Sequence, residues 1–151
     1  VGVAAGRPAV VVAVAAHVNK GLFTYRADLI TEELQQVATL SDVLTLIKLS
    51  DGAWQGIGRC IKRFHQYDIY HADLNARNIL LTEQAGDGHD GIYLIDFDNS
   101  NFRLGSESWK MANLSRLKRS LLKFKRKDEG FNFNKADWSA LLVGYNSAVV
   151  E

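Results

Sequence analysis

Apolar and polar positions along this chain follow two periods. Trp54, Ile57, Ile61, Phe64 and His65 recur at spacings of three and four, which predicts a helix with one buried face, capped by Ser50-Asp51. Ser41-Asp42 is expected to cap a shorter helix through Lys48. Leu114, Leu117, Leu121, Leu122 and Phe124 fall mostly on helical spacing, with Asn113 as the expected cap, and Trp138, Leu141 and Leu142 predict a last helix over Asp137 to Tyr145. Strand patterns lie elsewhere. The Val-rich run Val10 to Val14 and the mixed run Phe23 to Thr31 predict a hairpin with a turn at Asn19-Lys20-Gly21. Ile79 to Leu81 and Tyr93 to Ile95 are short apolar runs suited to buried strands, separated by a glycine-containing polar turn from Thr82 to Gly91. The fold class is therefore α+β.

Composition narrows this picture a little. A chain of 151 residues, 47% hydrophobic, is one domain or part of one and can bury a packed core. The net charge of +1 gives no whole-chain argument for nucleic acid as a partner. A single cysteine, Cys60, rules out an internal disulfide framework and fits a reducing compartment. The apolar run Ala9 to Ala16 is too short to span a bilayer, and no signal peptide is visible. Charge is unevenly placed: residues 110 to 127 carry eight Lys or Arg and no acidic residue, a face suited to anionic head groups or a phosphorylated substrate.

The chemistry sits around the second hairpin. Its entry reads His71-Ala72-Asp73-Leu74-Asn75-Ala76-Arg77-Asn78, and its exit reads Asp96-Phe97-Asp98. Antiparallel pairing of the two short strands brings Asn78 and Asp96 to the same end, although they stand 18 positions apart. Both are hard oxygen donors, as Mg²⁺ requires when it is held by one or two protein groups and by phosphates. Asp73 enters the same region and can act at an attacking hydroxyl. H-x-D-L-x-x-x-N followed by D-F-D is the order in which kinases carry a catalytic loop and a metal loop. His71 is expected to be a packed, hydrogen-bonded structural residue, and the helical stripe from Trp54 to His65 to be core.

Longer segments carry a more specific likeness. Gly21 to Glu32 (GLFTYRADLITE), Tyr70 to Leu80 (YHADLNARNIL), Leu94 to Asp98 (LIDFD) and the W-x-x-x-N-L-x-R-L-x-R-S-L pattern from Trp109 to Leu121 resemble the 3-deoxy-D-manno-octulosonic acid (Kdo) kinases of lipopolysaccharide assembly. The heptose kinases are near relatives of that family. The resemblance covers about Pro8 to Tyr145. It implies a protein-kinase-like fold, with residues 1–34 as partial strands and hinge of the small lobe and residues 35–151 as the helical C-terminal lobe. It implies ATP and Mg²⁺ as cofactors, and transfer of a phosphoryl group to the 4-hydroxyl of Kdo on Kdo-lipid A. Asp73 would be the catalytic base. Asn78 and Asp96 would hold the metal, and Leu29, Ile30, Thr31, Glu32, Glu33 and Leu34 would form the hinge that meets adenine through backbone groups. The basic segment 110–127 would meet the anionic glycolipid at the inner-membrane surface, so that the protein works peripherally on the cytoplasmic face, with no nucleic-acid partner.

One departure and two alternatives accompany this reading. The glycine-rich phosphate loop, the strand Lys and the helix Glu of a complete kinase-like protein have no counterpart before Val10, so the chain is expected to be truncated at its N-terminus. One alternative is another small-molecule kinase of the same fold, such as a heptose kinase or an aminoglycoside-type phosphotransferase. The latter usually carries H-G-D-L-H where this chain has H-A-D-L-N. The other alternative is a catalytically inactive fragment that binds anionic glycolipid through the basic helix.

Overall fold

The computed structural model describes residues 10–20, 25–34, 36–87 and 91–147, with side chains described from Gln36 onward except at residues 86 and 87. The chain divides into two compact units, Val1–Val37 and Ala38–Glu151.

The first unit contains strands β1 (Val10–Lys20) and β2 (Tyr25–Leu34), paired antiparallel from Val10↔Leu34 to Lys20↔Tyr25 with an irregularity at Val14. The predicted hairpin is present, but its strands are longer than the apolar runs suggest. Asn19 and Lys20 pair with Arg26 and Tyr25 and so belong to the ladder, not to a turn, while Gly21 of the expected turn lies outside the described residues. Backbone pairing tolerates polar side chains, and the end of an apolar run therefore does not end the ladder.

The described residues of the second unit form four α-helices. α1 (Leu40–Leu46) follows a two-residue strand, β3 (Ala38–Thr39). Thr39 caps it in place of Ser41: the Thr39 hydroxyl accepts from the Asp42 N–H, while the Ser41 N–H is taken by the Ala76 carbonyl at 3.0 Å. Helix α1 ends two residues before Lys48, where Asn132 donates through both its backbone and its side chain to the Leu44 carbonyl. α2 (Asp51–Gln66) starts at Ser50 as expected, with the Ser50 hydroxyl accepting from the Ala53 N–H. Trp54, Ile57 and Ile61 are wholly buried, and His65 nearly so.

The chain then passes through β4 (Ile69–Tyr70) and the loop to β5 (Ile79–Leu81), a short 3₁₀ turn (Glu83–Asp87), and β6 (Ile92–Leu94). Strand β5 lies between β3 and β6, and β7 (Asn101–Phe102) pairs with β4. α3 (Glu107–Lys127) begins at Ser106, not at Asn113, which lies inside the helix and is buried. α4 (Lys135–Asn146) opens with a capping box: Asn134 accepts from the N–H groups of Ala136 and Asp137, and Asp137 accepts from the Asn134 N–H. The core lies between α2, α3 and α4 and under β5, and each fully buried Leu in it contributes about 2 kcal/mol by area removed from water.

Helices α2 and α4 cross at two glycines. A methyl group at Gly58 would collide with the Leu141 carbonyl, and one at Gly144 with the Gln55 backbone. Both obstacles are main-chain atoms that cannot swing aside. Gly58→Ala and Gly144→Ala should therefore each lower stability by about 1–3 kcal/mol, read as a shift in the urea midpoint at unchanged m-value. Wild-type stability in both variants would show that the helices do not meet as closely as described.

Candidate active site

Strand β4 delivers the chain into the loop His71 to Asn78, and almost every group in that loop is held. His71 is buried. Its Nδ1 accepts from the Asp73 N–H at 3.1 Å, so the ring proton resides on Nε2, which donates to the Ile95 carbonyl at 2.9 Å. Burial pushes the His71 pKa below its usual 6.5, against the carboxylates of Asp73 and Asp96, which both lie near enough to raise it. The ring also packs on Phe97 at 4.7 Å between centroids, and Phe97 stacks on Phe64 of α2 at 5.2 Å. The expectation that His71 is structural is met.

Asp73 is exposed, and its carboxylate is oriented from two sides. The Asn75 Nδ2 donates to Oδ2 at 2.9 Å, and the Arg116 guanidinium reaches Oδ1 at 3.2 Å. Asn75 in turn accepts from the Arg77 N–H through its Oδ1, which fixes the amide's orientation. Helix α3 supplies more than Arg116. Asn113 donates to the His71 carbonyl at 2.7 Å, and Ser120 accepts from the Ala76 N–H at 3.2 Å. Asn113, Arg116 and Ser120 follow one another at spacings of three and four, so one stripe of α3 holds the loop along its length.

Asn78 is 8% exposed and closes the loop by donating through Nδ2 to the Asp73 carbonyl at 2.9 Å. That bond leaves Oδ1 as the end able to meet a cation. Strands β5 and β6 pair as Ile79↔Leu94, and the Ile95 N–H donates to the Asn78 carbonyl, so the ladder runs one step further and Asp96 follows directly beside Asn78. The juxtaposition expected from the strand pairing is thus found. Asp96 is exposed and takes φ = 62°, a left-handed conformation uncommon outside glycine that costs about 1 kcal/mol or more. Among the described residues no group of three or more His, Cys, Asp or Glu forms a cage for a metal. Two hard oxygens at one edge fit Mg²⁺, which fills its shell with substrate phosphates.

Leu29, Ile30, Thr31, Glu32, Glu33 and Leu34 lie in β2 of the first unit, paired with β1 between Ala16 and Val10; their side chains fall outside the described residues. Sequence reasoning missed Asn75, Asn113, Arg116 and Ser120 as site residues. The available signal was the polar recurrence Asn113, Arg116, Ser120 beside the apolar stripe Leu114, Leu117, Leu121.

A profile of the lipopolysaccharide kinase (Kdo/WaaP) family matches residues 5–145. The chain belongs to that family. It is 42% identical over 134 residues to a 3-deoxy-D-manno-octulosonic acid kinase of Actinobacillus succinogenes, covering 88% of this chain and 54% of that protein. To the enzymes of the same name from Mannheimia succiniciproducens and Pasteurella multocida it is 41% identical over 135 residues (89% and 55% of the two chains) and 42% over 123 residues (82% and 50%). The chain spans about half the length of these curated relatives.

Two predictions follow from how this lipopolysaccharide-kinase-family site is held. Asn113→Leu keeps the volume but orphans the His71 carbonyl and its partner ring at His65, whose Nε2 lies 3.1 Å from the Asn113 Oδ1. The loss should be about 2–5 kcal/mol in urea unfolding, and a loss under about 1 kcal/mol would mean that the amide is not the link described. The second concerns pH. Burial lowers the pKa of His65 as well as that of His71. The folded state then binds fewer protons than the unfolded chain once pH drops below the usual 6.5. The stabilisation is full above that value and is lost as pH falls from it toward the lower folded values. The free energy of unfolding between pH 7.5 and 5.5 should therefore decline, at a slope approaching about 1.4 kcal/mol per pH unit for each histidine; a flat profile would contradict neutral, buried rings.

Proposed function

We propose that this chain carries the phosphoryl-transfer site of an ATP-dependent Kdo kinase, acting on the 4-hydroxyl of Kdo on Kdo-lipid A. The observation that carries the reading is the convergence of a doubly oriented carboxylate at Asp73 with two oxygen donors, Asn78 and Asp96, at the adjoining hairpin end. Family membership and the names of the relatives support the choice of acceptor.

In this reading Asp73 accepts the proton of the acceptor hydroxyl while the hydroxyl oxygen forms its bond to the γ-phosphorus and the bond to the β–γ bridging oxygen breaks. Asn75 and Arg116 hold the carboxylate toward that proton and so remove rotational freedom before the reaction. Asn78 Oδ1 and the Asp96 carboxylate would ligate Mg²⁺, which when bound neutralises charge on the phosphates. The segment Leu29 to Leu34 would meet adenine. No described helix is long and apolar enough to cross a membrane, and a peripheral place on the cytoplasmic face of the inner membrane, reached through the basic helix, suits a lipid-borne acceptor.

The test is ATP- and Mg²⁺-dependent phosphorylation of Kdo-lipid A by the wild-type protein and by Asp73→Asn. The variant should lose about 10²–10⁴ in kcat. Its stability should change by less than about 1 kcal/mol, because the Asp73–Arg116 pair is half exposed on both sides. Wild-type turnover by the variant would remove Asp73 from the chemistry. Binding to Kdo-lipid A vesicles without any turnover by the wild type would favour a glycolipid-binding role.

A further inference from the structure

The cations of α3 are not spread evenly. Some have structural partners: Lys125 donates to the carbonyls of Glu129 and Phe131, Lys118 lies over the Trp138 ring, and Lys110 pairs with Glu107. Arg116, Arg119, Lys123 and Lys127 differ. They follow one another at spacings of three, four and four, so they line one exposed stripe about 16 Å long. Among the described residues the only acidic partner on that stripe is Asp73, at Arg116. Arg116 therefore stands where two stripes meet: the polar one that holds the catalytic loop, and a cationic one that leads away from it.

A guanidinium at such a seam can serve two carboxylates. One contact, from Nη1, engages Asp73, and a planar fork with five donors retains capacity for a second, bidentate partner. The pair with Asp73 is half exposed and made through Nη1 alone, so an incoming anion can share the guanidinium at little cost. The relatives' name gives the acceptor as an octulosonic acid, a sugar that carries its own carboxylate. Resting on the Kdo kinase reading, we propose that Arg116, with Arg119 and Lys123 behind it, is the site that receives the acceptor's carboxylate and makes the enzyme demand an acidic sugar. Arg116 then has two partners in the productive complex: it orients Asp73 and it anchors the sugar that Asp73 deprotonates. A lysine at this position would supply charge without the fork.

The experiment compares Kdo-lipid A with the same glycolipid methyl-esterified at the Kdo carboxyl, so that the lipid A phosphates stay constant. Co-sedimentation with vesicles carrying either lipid, and KM and kcat on either, are measured for wild type, Arg116→Gln, Arg116→Lys and the double variant Arg119→Gln/Lys123→Gln. Esterification should weaken wild-type binding and raise KM by about 10- to 100-fold. Arg116→Gln should bind both lipids alike, at the wild-type level for the ester, and Arg116→Lys should fall between. The double variant, which leaves the Asp73 contact intact, should lose part of the discrimination. Full discrimination retained by Arg116→Gln, with only kcat reduced, would overturn the proposal and leave Arg116 as a positioning residue for Asp73. Equal wild-type binding to the two lipids would overturn it as well. Discrimination in binding that depends on Arg116, with turnover of neither lipid, would uphold the anion site and sink the Kdo kinase reading instead.

Discussion

The carboxamide of Asn113, 1% exposed, has only one orientation open to it. The His71 carbonyl can only accept, so Nδ2 must face it, and Oδ1 must then face His65. That requirement passes along the chain. His65 donates from Nε2, which leaves Nδ1 as an acceptor for the Tyr145 hydroxyl at 2.7 Å. Burial holds that hydroxyl protonated, with its pKa pushed up to about 12. The result is a directed set of hydrogen bonds from α4, through α2 and α3, into the backbone of the loop that carries Asp73. Every member has its donor and acceptor matched, which is the condition under which a buried polar network adds specificity. His65 also meets Trp109 and Tyr145 edge-on, at 5.0 and 5.6 Å between centroids, so the ring has no room to reorient.

Helix α3 turns this constraint into a site. An ordinary amphipathic helix has an apolar face and a solvated face. Here a third stripe lies between them. Leu114, Leu117 and Leu121 anchor the helix in the core, and Asn113, Arg116 and Ser120 beside them meet the loop at His71, Asp73 and Ala76. Burial of the first stripe fixes the rotation of the helix about its axis, and that rotation places the second stripe. The proposed catalytic geometry is therefore held by a regular element, although the Asp73 carboxylate itself stands on a loop.

This division explains what the sequence made legible. The α2 stripe, the second hairpin and the meeting of Asn78 with Asp96 could be read from period and pairing, because those signals are local and a strand pair has only one end where its flanking residues meet. Residues whose roles depend on long-range partners could not. Asn113 resembles a cap, since Asn favours helix starts; only its neighbours His65 and His71, 48 and 42 positions away, make a mid-helix amide the better use. Ser41 failed as a cap for a similar reason, its N–H being taken by Ala76 from the loop. Arg116 looked like one cation among eight, and nothing local distinguishes it from Arg119. Strands β3, β4 and β7, two residues each, are too short to leave a periodic trace and exist because their partners do.

The left-handed backbone of Asp96 is the remaining piece, and its neighbours account for it. Ile95 is engaged on both sides: its N–H closes the ladder with Asn78, and its carbonyl accepts from the His71 ring. Phe97 is held between Phe64 and that same ring. Asp96 therefore joins two pinned residues, and the chain has to leave the strand within a single step. A left-handed residue makes such a turn, and glycine would make it with less strain. An aspartate there sacrifices some stability, and the proposed use of its carboxylate at that edge would account for it. The strain persists because His71, the ring common to both pins, is itself locked by the Asp73 N–H and, through its carbonyl, by Asn113. The network that fixes the loop of Asp73 thus also fixes the proposed metal loop, and the two cannot drift apart without breaking the same buried histidine contacts.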